Sequence, residues 1–362
     1  MMRSVSLSGH GHPLRRVAPL LLFALVPGCG GGSTSGSGAV VTPTVTPTPS
    51  PTPTPTPAPT PTPSPVATAD EPATGSDFTT SVAQLYTAAP NIGACQTGQL
   101  KPAVGARVLA VLNDIRARHG LPAVTYSMAE EAASMQSALM MAANGQLSHT
   151  PPTDWKCYTT AGATAAGQSN IYLGYGSGLR YSQDADIMIG YLTDVDNLIA
   201  NNIGHRRWLL YPFLSSVAYG RVAGAEATRG RADGSSIKVI NTTQNTAGPL
   251  PDFVAYPYQD YPARYYATGA LLSFSVIADK TRNFGANAQV RFANATITVR
   301  PRDGAALTVG NIAYDNDGYG LSNNLQWSVA GLTANTTYDV TIGNVVVAGT
   351  PKTYSYYFRL TP

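Results

Sequence analysis

The sequence predicts an α+β protein: a mixed helix-and-strand domain over residues 76–246, then an all-β sandwich over residues 247–362. Three observations lead there. Between residues 102 and 194 apolar side chains recur every three or four positions, the period of helices lying on a core. After residue 247 they recur at every second position, in short runs separated by Gly, Asn, Asp and Pro, as in stacked strands. Ahead of both lies a Thr-Pro tract that has nothing to bury.

At 362 residues and 43% hydrophobic, the chain can bury two ordinary cores. Only 12% of residues are charged, roughly half the usual share. Ser, Thr, Asn, Gly and the 20 tyrosines must therefore supply the surface, a makeup that suits the outside of a cell. The net charge of +3 includes Arg3, Arg15 and Arg16 of a leader without acidic residues, so the remainder carries 20 − 20 = 0. A balanced chain offers no basic face for phosphates, which excludes nucleic acid as a partner.

Residues 1–28 read as a secretion leader. Arg15-Arg16 precedes an apolar run, Val17 to Val26, too short to span a bilayer. Val26-Pro27-Gly28-Cys29 resembles a bacterial lipobox, which implies cleavage before Cys29 and lipidation of its thiol. An ordinary cleavage site with a spare cysteine is the alternative. The resemblance implies an exported cell-envelope protein attached to the membrane by lipid alone; without an Asp after Cys29, the sorting rule favours the outer membrane. Residues 29–75 are linker, and Thr42 to Pro65 should extend at about 3.1 Å per residue. Removing Cys29 from the count leaves Cys95 and Cys157, most simply one disulfide in an exported chain.

In the first domain, a helix opens near Pro102 and buries Val104, Val108, Val111, Leu112 and Ile115. Gly120 closes it and Pro122 stops continuation, with His119 facing the helix end. Ser127-Met128-Ala129-Glu130 reads as a capping box for a second helix with Met128, Met135, Leu139 and Ala142 in its stripe. Asn144-Gly145 ends that helix, and Pro151-Pro152 holds His149 in extended chain. A Gly- and Ala-rich loop precedes Gln168-Ser169-Asn170-Ile171; Ser182 then opens a third helix running to about Asp194. The stretch Gly204 to Pro212 reads as a short amphipathic turn, with Trp208 and Leu209 inward and His205 and Arg206 at the rim of a groove. Residues 217–222 and 237–240 read as strands.

Three blocks now converge: LNDIRARHGLPAVTY from Leu112, MAANGQLSHT ending at Thr150, and GHRRWLLYP followed by VAYGRV. In order and spacing they resemble the CAP superfamily, also called the SCP domain, which includes cysteine-rich secretory proteins, antigen 5 and pathogenesis-related proteins. The resemblance covers about residues 100–246 and implies an α-β-α sandwich with a cleft carrying two histidines, matched by His149 and His205. Where the family usually reads Gly-Glu-Asn-Ile, Ser169 stands in place of the glutamate. The family's second cleft acid is matched only by Asp194 or Asp196, and Asp196 could equally cap the next helix.

Two imidazoles and an Asp can hold a divalent metal such as zinc, the cofactor this reading allows. Two hydrogen-bonded cleft histidines without metal are the alternative. Ser169 beside a histidine would also suit an extracellular hydrolase, although no oxyanion-hole motif accompanies it. The expected function is non-enzymatic binding of a metal, a lipid, a small ligand or a cell-envelope component; a structural adhesion protein is the third reading.

In the second domain, residues 272–276, 290–292, 295–299, 325–329, 338–342 and 354–360 alternate as strands. Gly331 to Tyr338 resembles the corner before a late strand of fibronectin type III domains, where a tyrosine hydroxyl pins the turn; immunoglobulin-like is the wider label. Asp315-Asn316-Asp317-Gly318 lacks the downstream acids of a calcium loop and reads as a turn. Tyr256, Tyr258, Tyr261, Tyr265 and Tyr266 are expected to pack across the domain junction; an exposed stacking surface for sugar or peptidoglycan is the alternative.

Overall fold

The computed structural model describes residues 2–5 as backbone, and residues 71–245 and 248–362 in full. The leader beyond Val5, the lipobox cysteine Cys29 and the linker as far as Asp70 lie outside the described residues. Six helices are described: α1 (Phe78–Val82), α2 (Pro102–Arg118), α3 (Met128–Asn144), α4 (Thr160–Ala166), α5 (Asp184–Thr193) and α6 (Gly204–Leu209). The strands of the first half are β1 (Met2–Val5), β2 (Tyr86–Ala88), β3 (Gln99–Leu100), β4 (Thr125–Tyr126), β5 (Ser169–Tyr175), β6 (Ser216–Glu226) and β7 (Gly230–Lys238).

Five of these strands form one sheet in the order β1-β5-β7-β6-β4. Strand periodicity assigns each face its cover. Gly220 and Gly234 face α3 so closely that a Cβ would lie 2.2 Å from the Ser134 carbonyl carbon and 2.5 Å from the Ala138 oxygen. On the opposite face, Arg221 and Tyr219 reach Asp184 at the start of α5, and Arg107 of α2 reaches the same carboxylate. Helices thus cover both faces of the sheet, the α-β-α layering expected from the resemblance.

Arg221 is fully buried and makes two bonds to Asp233, at 2.9 and 2.7 Å, and one to Asp184 at 2.9 Å. Buried charges survive only when paired and hydrogen-bonded in this way. Glu71 joins the network beside Arg107, accepting from the Tyr181 hydroxyl at 2.7 Å and the Asp184 backbone N–H at 2.8 Å. Glu71 thus ties the end of the stretch read as linker to this network.

Several local readings need correction. Ser127 makes no side-chain cap bond, and Glu130 pairs with Lys238 instead. The third helix is opened by Gln183, not Ser182, which is buried. The Gly- and Ala-rich loop contains α4, capped by Thr159, whose hydroxyl accepts from the Gly162 N–H at 3.0 Å. The Cys95–Cys157 disulfide is formed, with a Cα–Cα distance of 5.2 Å.

The second half is all β: β8 (Phe253–Tyr256), β9 (Gln259–Pro262), β10 (Leu272–Val276), β11 (Thr296–Pro301), β12 (Val309–Asp315), β13 (Asn324–Val329), β14 (Thr337–Val347) and β15 (Thr350–Thr361). They form two four-stranded sheets, β12-β13-β10-β8 and β11-β14-β15-β9, antiparallel except for the parallel pair β9–β15. Phe274 and Phe253 of the first sheet meet Tyr354 and Tyr356 of the second, with centroids 5.2–6.5 Å apart. Residues 290–292 form no strand; Arg291 makes only an isolated bridge to Val346. The Tyr338 hydroxyl accepts from the Thr333 N–H at 2.9 Å, the local corner contact anticipated for this turn.

The described residues from Glu71 to Pro362 belong to one compact unit. Tyrosines from the aromatic run form much of the join. Tyr256, Tyr261 and Tyr265 are buried; Tyr261 meets His119 at 3.1 Å, and Tyr265 donates to Asp114 at 2.5 Å. His119, at the end of α2 as expected, is also part of this junction; burial pushes its imidazole down to about 3.

Candidate functional site

The site is built at the end of α5. Asp194 follows the helix in the left-handed region (φ 57°), a conformation Asp tolerates better than most residues, and its N–H bonds the Gly190 carbonyl at 2.9 Å. The turn aims its carboxylate at the start of α6. Oδ2 accepts from the Arg206 backbone N–H at 3.1 Å, while Oδ1 accepts from His205 Nδ1 at 2.6 Å and from Asn197 at 3.1 Å. Asp194 thus fills the helix-capping role considered for Asp196, which is exposed.

His205 is fully buried. Its carbonyl accepts from Asn170 Nδ2 at 3.1 Å, and its ring lies 5.1 Å from that of Tyr191. The expected rim position of His205 and Arg206 is therefore wrong, and the reason lies in the arginine's partners. Arg206 donates to the carbonyls of Leu192 (2.6 Å), Thr193 (2.9 Å) and Leu271 (2.6 Å), and to Ser273 Oγ (3.2 Å). Its guanidinium carbon sits 3.8 Å from the centre of the Tyr256 ring. Arg207 bonds Asp315 and the Leu321 carbonyl, which gives the Asp315 turn a structural partner. Arg116 bonds the Leu209 and Tyr211 carbonyls at 2.9 and 2.8 Å, so α6 is held at both ends.

His149 leaves the end of α3 and is half-buried. Its Nδ1 lies 2.8 Å from the Ala166 carbonyl. Residues 165–170, the end of α4 and the start of β5, therefore touch both histidine segments: Ala166 holds the His149 ring, and Asn170 holds the His205 backbone. A carbonyl oxygen can only accept, so His149 donates from Nδ1, and the contact with Asp194 orients the His205 ring.

Ser169 lies in the same segment, but its hydroxyl is buried and donates to the Ala165 carbonyl at 2.7 Å. That bond spends its proton on a helix carbonyl and gives no base a role in activating it. No group of three or more His, Cys, Asp or Glu side chains suited to a metal occurs among the described residues. Among the described residues, no such group therefore includes His149 or His205.

Sequence reasoning missed Asn170, Arg116 and the Arg221 network. A charged residue inside the apolar run Val217 to Val222 was the available sign of the last; nothing local marked the other two.

Residues 109–231 match the family model for CAP, the cysteine-rich secretory protein family, and the chain carries a CAP domain over that span. Among solved structures, an extracellular protein containing a SCP domain from Bacillus anthracis str. Ames is 17% identical, with 39% of this chain and 45% of that chain covered and a TM-score of 0.25. The chain thus spans under half the length of that protein. No curated protein matches it.

Proposed function

We propose that this is an exported, lipid-anchored cell-envelope protein whose CAP domain works by binding and not by turnover, with His149 and His205 as its recognition pair. The observation that carries the reading is that each ring is anchored through Nδ1, His149 at the Ala166 carbonyl and His205 at the Asp194 carboxylate. Acceptor-oriented imidazoles are the usual donors to a divalent metal, and a carboxylate behind the ring raises its basicity. A metal such as zinc would be held by the imidazoles of His149 and His205 and would supply a Lewis-acidic contact for a small or lipid ligand. Two protein ligands make this a weak site beside the four of a structural zinc centre. Attachment through a lipidated Cys29 and the Thr-Pro linker would hold the domain away from the membrane, among the components of the envelope.

The test is a calorimetric zinc titration of the full mature chain and its His149→Ala variant. His149 is the less buried of the pair, so its removal spares the core. The expected result is a weak single-site isotherm that the variant lacks; superimposable isotherms would overturn the metal reading.

A further inference from the structure

We infer that the cleft between the 91–98 loop, α3 and the 153–159 loop is a binding subsite for a neutral pyranose sugar. It encloses about 750 Å³, within the roughly 300–1,000 Å³ typical of small-molecule sites. Gln96, Thr97, Gln136, Thr153, Trp155 and Tyr158 supply its working walls, and neither histidine of the recognition pair lines it. No Asp, Glu, Lys or Arg lines it either, so it has nothing to pair with an ionic ligand. Amides and hydroxyls both donate and accept, as a ring bearing hydroxyl groups requires. The two aromatic rings give apolar faces for the C–H side of such a ring to pack on.

The walls are fixed before any ligand arrives. Trp155 packs on the small cluster of Met141, Ala166 and Ile171, and its backbone N–H bonds the Pro152 carbonyl at 3.1 Å. Lys156 and Asn144 are joined by two bonds of 3.1 Å. Cys157 is tied to Cys95 on the facing loop, so one covalent bond connects two sides of the cleft. Thr159 donates to Gln136 Oε1 at 2.6 Å and thereby orients that amide. A site ordered in advance loses little entropy on binding.

The test uses the full mature chain with cellotetraose, maltotetraose and chitotetraose, read by tryptophan fluorescence and calorimetry. At least one tetraose should produce a saturable signal, because Trp155 is the one partly exposed tryptophan. Trp155→Ala should weaken binding by about tenfold or more, the scale of a lost aromatic contact. Gln96→Ala, on an exposed loop, should weaken it with the circular dichroism unchanged, and reducing the disulfide should do the same by freeing a wall. His149→Ala should bind as the wild type does, which separates this subsite from the proposed metal pair. No saturable signal with any tetraose at about 10 mM overturns the proposal. So do unchanged affinities in both cleft variants, or loss of binding in His149→Ala.

Discussion

Replacing Arg206 by methionine should loosen the two halves of the protein from each other. The guanidinium donates to Leu192 and Thr193 on one side and to Leu271 and Ser273 on the other, so it bonds both halves at once. Two terms compete. Burial disfavours the charge, as its lowered pKa records, so methionine relieves some desolvation. Against that, three buried carbonyls lose a charged donor, at about 1–3 kcal/mol for each one left unsatisfied. Removing one member of a buried ionic arrangement costs about 3–5 kcal/mol in general. The carbonyl term is the larger, and the net loss should be about 3 kcal/mol, a sizeable part of a total stability of about 5–15 kcal/mol. Urea unfolding is the assay, with Trp208 reporting on the first half and Trp327 on the second in backgrounds where the other two of the three tryptophans are phenylalanine. Coincident transitions in the parent should shift to lower urea and separate in the Arg206→Met variant. A loss below about 1 kcal/mol, with the two transitions still coincident, would refute the reasoning.

Three further outcomes follow from the same structure. Burial lowers the His119 pKa to about 3 from 6.5, so the unfolded chain takes up a proton that the folded one refuses. Its contribution is complete above pH 6.5 and falls by at most about 1.4 kcal/mol per pH unit down to about pH 3. Glu71, raised by burial and by Asp184, acts in the opposite sense, so wild type and His119→Gln should be compared at each pH, with the variant showing the flatter curve. Cys95→Ser opens a 62-residue crosslink, worth about 4 kcal/mol on chain entropy, and should lower the thermal midpoint accordingly. In Gly220→Ala the new Cβ would meet the α3 backbone at 2.2 Å, whereas in Gly224→Ala the nearest atom is Ile92 Cδ1 at 4.0 Å. The first should exceed the usual overpacking cost of about 1–3 kcal/mol and the second should fold normally, as soluble yield and melting temperature would show.

The elements legible in the sequence were those whose local signals agree with their tertiary surroundings. Helix α2 combines a clean apolar stripe with Pro102 at its start and Gly120 past its end, and it folds where that pattern places it. Helix α4 was hidden because Gly and Ala suggest a loop, although alanine is the best helix former and Thr159 supplies a cap. Strands β8 and β9 were hidden for the opposite reason. Their Tyr-Pro run has no alternation to read, and β9 owes its place to a parallel pairing with β15, about a hundred residues away. The two histidines could be singled out as residues, but nothing local marked Ala166 and Asn170 as the groups that hold them. The inward turn of Arg206 could not be read either, because its acceptors are backbone carbonyls and every residue type offers one.

The packing of α6 bears on the function as well as the stability. His205 and Arg206 are consecutive: Asp194 holds the ring of the first and the backbone N–H of the second. The Arg206 side chain then reaches Leu271 and Ser273. A shift of the β-rich half therefore pulls on the helix that positions His205, and a change at His205 is passed to the junction through one carboxylate. Other junction contacts, among them His119 with Tyr261, Asp114 with Tyr265 and Arg207 with Asp315 and Leu321, would leave buried polar groups exposed or unpaired if residues 247–362 were removed. Two regions with distinct sequence patterns thus share one set of stabilising contacts, and the histidine site belongs to their joint structure.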